Sequence, residues 1–245
     1  MRGIQDILCF RSDISPFLIH LTRGNEIGTA VENLTSILEY HFLISLGNPI
    51  SDARFAVSLR NTTHTDKVNL FSAVSFSETP LNEIHCLLEI SSREVNLEPY
   101  GVVFLKDNLK RKGVSPVIYI NNERGDKDSV VRALATLRNS HPDAARQLLP
   151  LISVFGRRLR PVGGTYLDRP VDFTWEREWR YAAASGLFNF EVADVFLGLC
   201  PHEQISNFER QFAPISFIDP QRNVKWYAKK LVRARQRLGL KYSVV

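Results

Sequence analysis

The sequence is poor in cysteine: Cys9, Cys86 and Cys200 stand alone, and no C-x-x-C pair occurs. That spacing excludes a zinc ribbon and a redox dithiol, and three lone thiols point to a reduced, cytoplasmic setting. No run of about 18 apolar residues is present. The start, Met1-Arg2-Gly3-Ile4-Gln5-Asp6, has no apolar signal core, so neither a membrane span nor a secretory leader is expected. The patterns G-x-x-x-x-G-K-[ST], G-x-G-x-x-G and G-x-S-x-G are missing, which removes the main support for P-loop, dinucleotide-fold and α/β-hydrolase chemistry. The six histidines show no H-E-x-x-H spacing, and no metal site is expected. Repeats, heptads and low-complexity tracts are also lacking.

The material for a core is ample. Of 245 residues, 44% are hydrophobic, with 15 Phe and 3 Trp, so a chain of this length needs no covalent staple. Charge is unevenly placed. The net charge is +5, but Gln221–Val245 holds Arg222, Lys225, Lys229, Lys230, Arg233, Arg235, Arg237 and Lys241 and no acidic residue. Taking those eight charges from the net leaves −3 for the remainder. A local basic patch suits a polyanion, and equally describes a solvated helix face.

Periodicity gives a strand at 16–23 and then a helix, with Ile27, Ala30, Val31, Leu34, Ile37 and Leu38 on one stripe. The stretch 46–69 reads as loop, 70–77 as a strand and 80–88 as a helix with Ser77 or Thr79 as N-cap and Pro80 at its first position. A strand at 100–105, a helix at 107–112 closed by Gly113 and a strand at 116–120 follow. Helices are expected near 127–139 and over 142–155, with a charged loop at 124–128 between strand and helix. The late elements are strands at 191–198 and 214–218, a helix at 202–211 and a terminal helix at about 221–238. In that helix Val224, Tyr227, Leu231, Ala234 and Leu238 share one face, and Lys225, Lys229, Arg233 and Arg237 another. Interspersed strands and helices with no clear linker imply a single domain over 1–245, of α+β or mixed α/β class.

Three places could carry chemistry. In Trp175-Glu176-Arg177-Glu178-Trp179-Arg180, strand alternation would put Glu176 and Glu178 side by side, where two carboxylates could stabilise a cationic transition state. The alternative is a Glu pair neutralised by Arg177 and Arg180. In Ser75-Phe76-Ser77-Glu78-Thr79-Pro80 the hydroxyls could bind a ligand's polar edge or cap the next helix. At the end of the first strand, His20, Thr22 and Arg23 could hold a ribose and a phosphate, the alternative being that His20 is a hydrogen-bonded structural residue.

Together, Ser75-Phe-Ser-Glu-Thr-Pro-Leu, Tyr100-Gly-Val-Val-Phe and Glu176-Arg-Glu-Trp-Arg resemble the AbiGi abortive-infection family of bacterial phage-defence proteins, from about residue 15 to 218. The order His20-x-Thr22, Ser75-x-Ser77, Glu176-x-Glu178 is similar, at a greater distance, to the three strand-borne motifs of DarT-like and other ADP-ribosyltransferases. That second resemblance implies a split β core of mostly antiparallel strands with flanking helices, about 15–218, followed by the basic C-terminal helix. It further implies an NAD-dependent ADP-ribosyltransferase toxin of an anti-phage system, transferring ADP-ribose from NAD to RNA or DNA and held in check by a cognate antitoxin protein. Glu178 would stabilise the charge developing on the ribose and Glu176 would orient or deprotonate the acceptor. His20 and Thr22 would hold the adenosine-side ribose, Arg23 the pyrophosphate, and Ser75 or Ser77 would brace Glu178. Lys225, Lys229, Arg233 and Arg237 would meet the nucleic acid. The alternative is a non-catalytic antitoxin or nucleic-acid-binding component of an abortive-infection system.

Overall fold

The computed structural model describes residues 14–25, 28–45, 73–90, 96–121, 129–162, 165–171, 174–182 and 187–240. The expected loops at 46–69 and 124–128 lie outside them. In chain order the elements are β1 (Phe17–Leu21), α1 (Ala30–Tyr40), β2 (Phe42–Ile44), β3 (Ala73–Ser77), α2 (Ile84–Leu88), β4 (Gly101–Leu105) and α3 (Lys106–Arg111). Next come β5 (Ser115–Pro116), β6 (Ile118–Asn121), α4 (Ser129–Ser140), α5 (Pro142–Leu148), β7 (Ile152–Val162), β8 (Thr165–Val171) and β9 (Glu178–Ala182). The last are β10 (Leu187–Asn189), β11 (Val195–Leu199), α6 (Ile205–Gln211), β12 (Phe217–Ile218) and α7 (Ala228–Arg237). The fold is α+β, with mixed and mostly antiparallel pairing.

The chain forms two compact units, each assembled from separate stretches. The first holds 1–42, 76–113 and 189–245, and the second 43–75 and 114–188.

In the first unit β1 pairs antiparallel with β4, β4 antiparallel with β11, and β11 parallel with β12. Ile19 sits opposite Ser77, which brings the end of β3 beside β1. These strands read as continuous apolar runs because both faces are covered: Leu18, Ile19, Val102, Val103, Phe104 and Leu197 are all buried. Phe17 stacks on Phe196 with ring centroids 4.4 Å apart. Gly198 is obligatory at its place, since a Cβ there would lie 2.1 Å from the Phe217 ring on β12. Helix α1 begins with a capping box: the Thr29 hydroxyl accepts from the Glu32 backbone N–H, and the Glu32 carboxylate accepts from that of Thr29. Hydrogen bonds from Thr29 also hold the exposed Glu32 carboxyl below its ordinary pKa.

Among the charged pairs in this unit are those of Glu78 and Asp194. Glu78 is buried and accepts from Lys106 Nζ at 3.0 Å. Asp194, also buried, meets Lys112 Nζ at 3.2 Å and accepts from Asn108 Nδ2 at 3.2 Å and from the Glu191 N–H at 2.9 Å. Buried carboxylates are tolerable only with such partners.

In the second unit β6 runs parallel to β7, β7 pairs antiparallel with β8, and β5 pairs antiparallel with β9. Ile120, Leu134, Ala145, Leu149 and Ile152 form its apolar centre.

Several expected elements change. The helix expected over 142–155 stops at Leu148, and a short 3-10 turn leads into β7 at Ile152, where pairing with β6 claims the backbone. The Ser77 or Thr79 cap is not made: the helical turn starts at Leu81, one residue later than expected, so Pro80 occupies the N-cap position without a side-chain cap. The expected strand through Glu176 is instead a 3-10 turn over Thr174–Glu176, and β9 begins at Glu178.

Candidate functional site

The end of β1 leads into a stitched turn. Thr22 is buried: its N–H donates to the Tyr100 carbonyl at 2.7 Å, and its hydroxyl lies 3.2 Å from the Ala30 carbonyl and 3.3 Å from that of Tyr100. A hydroxyl committed to backbone carbonyls joins β1 to α1 and β4. The exposed Arg23 has its carbonyl taken by Asn33 Nδ2 at 2.7 Å, and the next N–H, that of Gly24, donates to Glu98 Oε1 at 2.7 Å. His20 packs edge-on against Phe76, 5.9 Å between ring centroids, at one end of an aromatic chain that continues through Phe104 and Phe190 to His41. Ser75 and Ser77 are both half-buried on β3. His20, Thr22, Arg23 and Ser77 belong to the first unit; Ser75, Glu176 and Glu178 belong to the second.

The carboxylate motif departs from expectation for a local reason. Arg177 takes a left-handed backbone, φ 46°, and its N–H closes the turn onto the Thr174 carbonyl at 3.3 Å. That kink ends the alternation, so Glu176 and Glu178 are not strand neighbours on one face. Glu178 is instead engaged by Arg180: Nε donates to Oε1 at 2.9 Å and Nη2 to Oε2 at 2.8 Å. Arg180 Nη1 donates to the Pro150 and Ile152 carbonyls at 3.0 and 2.9 Å. Both side chains are 12% exposed. A two-point pair of this kind is strong and geometrically fixed, and the Nη1 bonds of Arg180 tie β9 to the entry of β7. Tyr119 completes the arrangement, its phenol oxygen accepting from the Glu178 N–H at 2.8 Å. Burial pushes the Tyr119 phenol up to about 12. Nothing in the sequence marks Tyr119, because its partner is a backbone amide brought near by tertiary packing.

At α7 the expected basic stripe divides. Lys225, Lys229 and Arg233 are exposed. Arg237 is half-buried and holds the helix to the start of β11: Nη1 donates to the Val192 carbonyl at 3.0 Å, and Nη2 to those of Val195 and Phe196 at 2.6 and 3.1 Å. Desolvation lowers its pKa. Lys230 is likewise engaged, by Glu209. The apolar face is as expected in kind, with Tyr227 and Ala234 buried, but the helix proper begins only at Ala228 after a 3-10 turn over Val224–Tyr227. Trp226, which no periodicity singles out, stands 76% exposed with the Arg222 guanidinium 6.0 Å from its ring centre.

Among the described residues no group of His, Cys, Asp and Glu could hold a metal ion, and no helix is long and apolar enough to cross a membrane.

A family model described as "Putative abortive phage resistance protein AbiGi, antitoxin" matches residues 59–207, well over half of the sequence. The chain belongs to the AbiGi family. The match takes in β3, β4, the Glu178–Arg180 pair and β11, and α7 lies beyond it. No curated protein and no solved structure matches the chain, so the finer likeness to an ADP-ribosyltransferase fold has no structural neighbour behind it. The reading of the chain as an NAD-dependent ADP-ribosyltransferase toxin is overturned: the family is described as an antitoxin, the opposite partner of such a pair.

Proposed function

We propose that this AbiGi-family chain is the non-catalytic antitoxin component of an abortive phage-resistance system and acts by binding a cognate partner. The family match over 59–207 carries this reading. The motif residues support it, because several of them are already occupied in holding the fold. Thr22 fastens a turn to two carbonyls, Glu78 neutralises Lys106, and Glu178 is held by Arg180, which also binds the Pro150 and Ile152 carbonyls. Groups so committed stabilise a recognition scaffold and are poorly placed to engage a substrate.

The test is growth. Expression of this chain alone in a bacterial host should leave growth unchanged, and its co-expression should restore growth arrested by the cognate toxin. Growth arrest by this chain alone, or no rescue at matched expression, would overturn the reading.

A further inference from the structure

We propose that the outer face of α7 and its preceding turn binds single-stranded nucleic acid, with Trp226 stacking on an unpaired base and Lys225, Lys229 and Arg233 touching phosphates. This face is independent of the antitoxin reading, which rests on a different part of the chain.

The face has three parts. Trp226 presents its indole to solvent, 76% exposed, and the Arg222 guanidinium lies over it at 6.0 Å. Exposing so large an apolar ring is unfavourable, and its π-face is a platform on which a nucleobase can stack. Lys229 and Arg233 follow on α7 one turn apart, about 6 Å along the axis, with exposed Lys225 one turn earlier. No acidic residue occurs after Asp219.

The inner face makes this surface rigid. Tyr227 and Ala234 are buried, Lys230 meets Glu209, and Arg237 grips three carbonyls around the start of β11. The cations therefore divide by function, with Lys230 and Arg237 holding the helix down and Lys225, Lys229 and Arg233 facing outward.

A nucleic acid suits this face better than an acidic protein. Protein interfaces place an apolar, charge-poor centre inside a polar rim and are depleted in lysine. Here lysines and an arginine occupy the middle of the face, and beside Trp226 the exposed apolar side chain on α7 is Val232. A single strand suits it better than a duplex, because the bases of a duplex are already stacked on each other and withdrawn from a surface indole.

The experiment uses the full chain and a fluorescein-labelled oligouridylate of about a dozen nucleotides, a length that spans the usual single-strand sites. Duplex DNA and polyglutamate serve as competitors. Binding should be tighter to the single strand than to the duplex, and Trp226→Ala should weaken it roughly 5- to 100-fold, the range expected when one base no longer stacks. Trp226→Phe should keep most of the affinity while removing the fluorescence quenching that accompanies binding. Lys229→Gln with Arg233→Gln should lower the slope of log affinity against log salt by about 0.7 for each phosphate no longer neutralised. Circular dichroism melting of each variant verifies that an exposed substitution leaves the fold intact.

Equal affinity for Trp226→Ala, or polyglutamate competing as well as the oligonucleotide, would overturn the proposal, the latter in favour of an acidic protein partner. Toxin rescue scored on the same variants is a separate readout. Its loss without a change in oligonucleotide binding would count against the antitoxin reading alone.

Discussion

Glu178 and Arg180 show how a residue pair can carry two meanings in a sequence. Two glutamates around an arginine read as paired carboxylates for cationic chemistry, or as charges neutralised within the motif. In the structure the left-handed turn at Arg177 separates Glu178 from Glu176, and Arg180 takes both Glu178 oxygens. The pair is 12% exposed, so its hydrogen bonds are shielded from competing water. Glu178→Gln should keep the shape but remove the charge, leaving the guanidinium without its counter-ion. We expect a loss of about 2–3 kcal/mol, in the range for hydrogen bonds to charged groups, read as a lower urea midpoint with an unchanged m-value. An unaltered midpoint would show that the pair contributes nothing to stability and reopen the carboxylate to other roles.

At the scale of elements, α7 separates charge used for anchoring from charge left to the surface. Arg237 belongs to the same four-residue spacing as Lys225, Lys229 and Arg233, yet its guanidinium is turned onto the Val192, Val195 and Phe196 carbonyls. Arg237→Gln should therefore destabilise the protein by about 1.5–3 kcal/mol, since charged donors to partly buried carbonyls would be removed. Lys229→Gln should stay within about 0.5 kcal/mol of the parent, as surface substitutions do. Urea unfolding of the two variants distinguishes them, and equal stabilities would mean that Arg237 is no anchor. Long-range partners also explain why the helix expected from 142 to 155 ends early. The apolar run Ile152-Ser-Val-Phe has partners waiting on β6, and parallel pairing outweighs local helical preference.

Across the whole molecule, several buried proton donors set the response to alkali. Burial pushes the Cys200 thiol up to about 12, from an ordinary value of 9.0, and the Tyr119 phenol to about 12, from 10.0. Burial raises Tyr100 and Tyr227 as well. The unfolded chain begins to release these protons near pH 9.0, whereas the folded protein keeps them until about 12. The folded state thus binds more protons in that window, so their contribution to stability is complete below it and is lost as pH rises through it. Thermal midpoints should hold steady up to about pH 9 and then fall, less steeply for Cys200→Ala. A flat profile to about pH 11 would contradict the burial of these groups. The exposed Cys86 should meanwhile react with a thiol reagent in the native state, while the buried Cys200 waits for unfolding.

Legible along the chain were the α+β class, the strands at the β1 and β4 positions, α1 with its buried stripe, α3 closed by Gly113, and the family to which the motifs point. These rest on local periodicity, capping chemistry and short motifs, none of which needs distant residues to be recognised. The charged segment at the C-terminus was equally plain, because composition needs no folding to be read. Which charges reach solvent was settled only by folding. Glu78, Lys230 and Arg237 look like their solvent-facing neighbours in sequence, and only partners far along the chain withdraw them. The division into two units was hidden for a similar reason, since each is assembled from separate stretches and no single stretch reads as a linker. Trp226 was hidden because aromatic residues usually mark a core, and its exposure follows from the neighbouring Tyr227 taking the buried position at the start of α7.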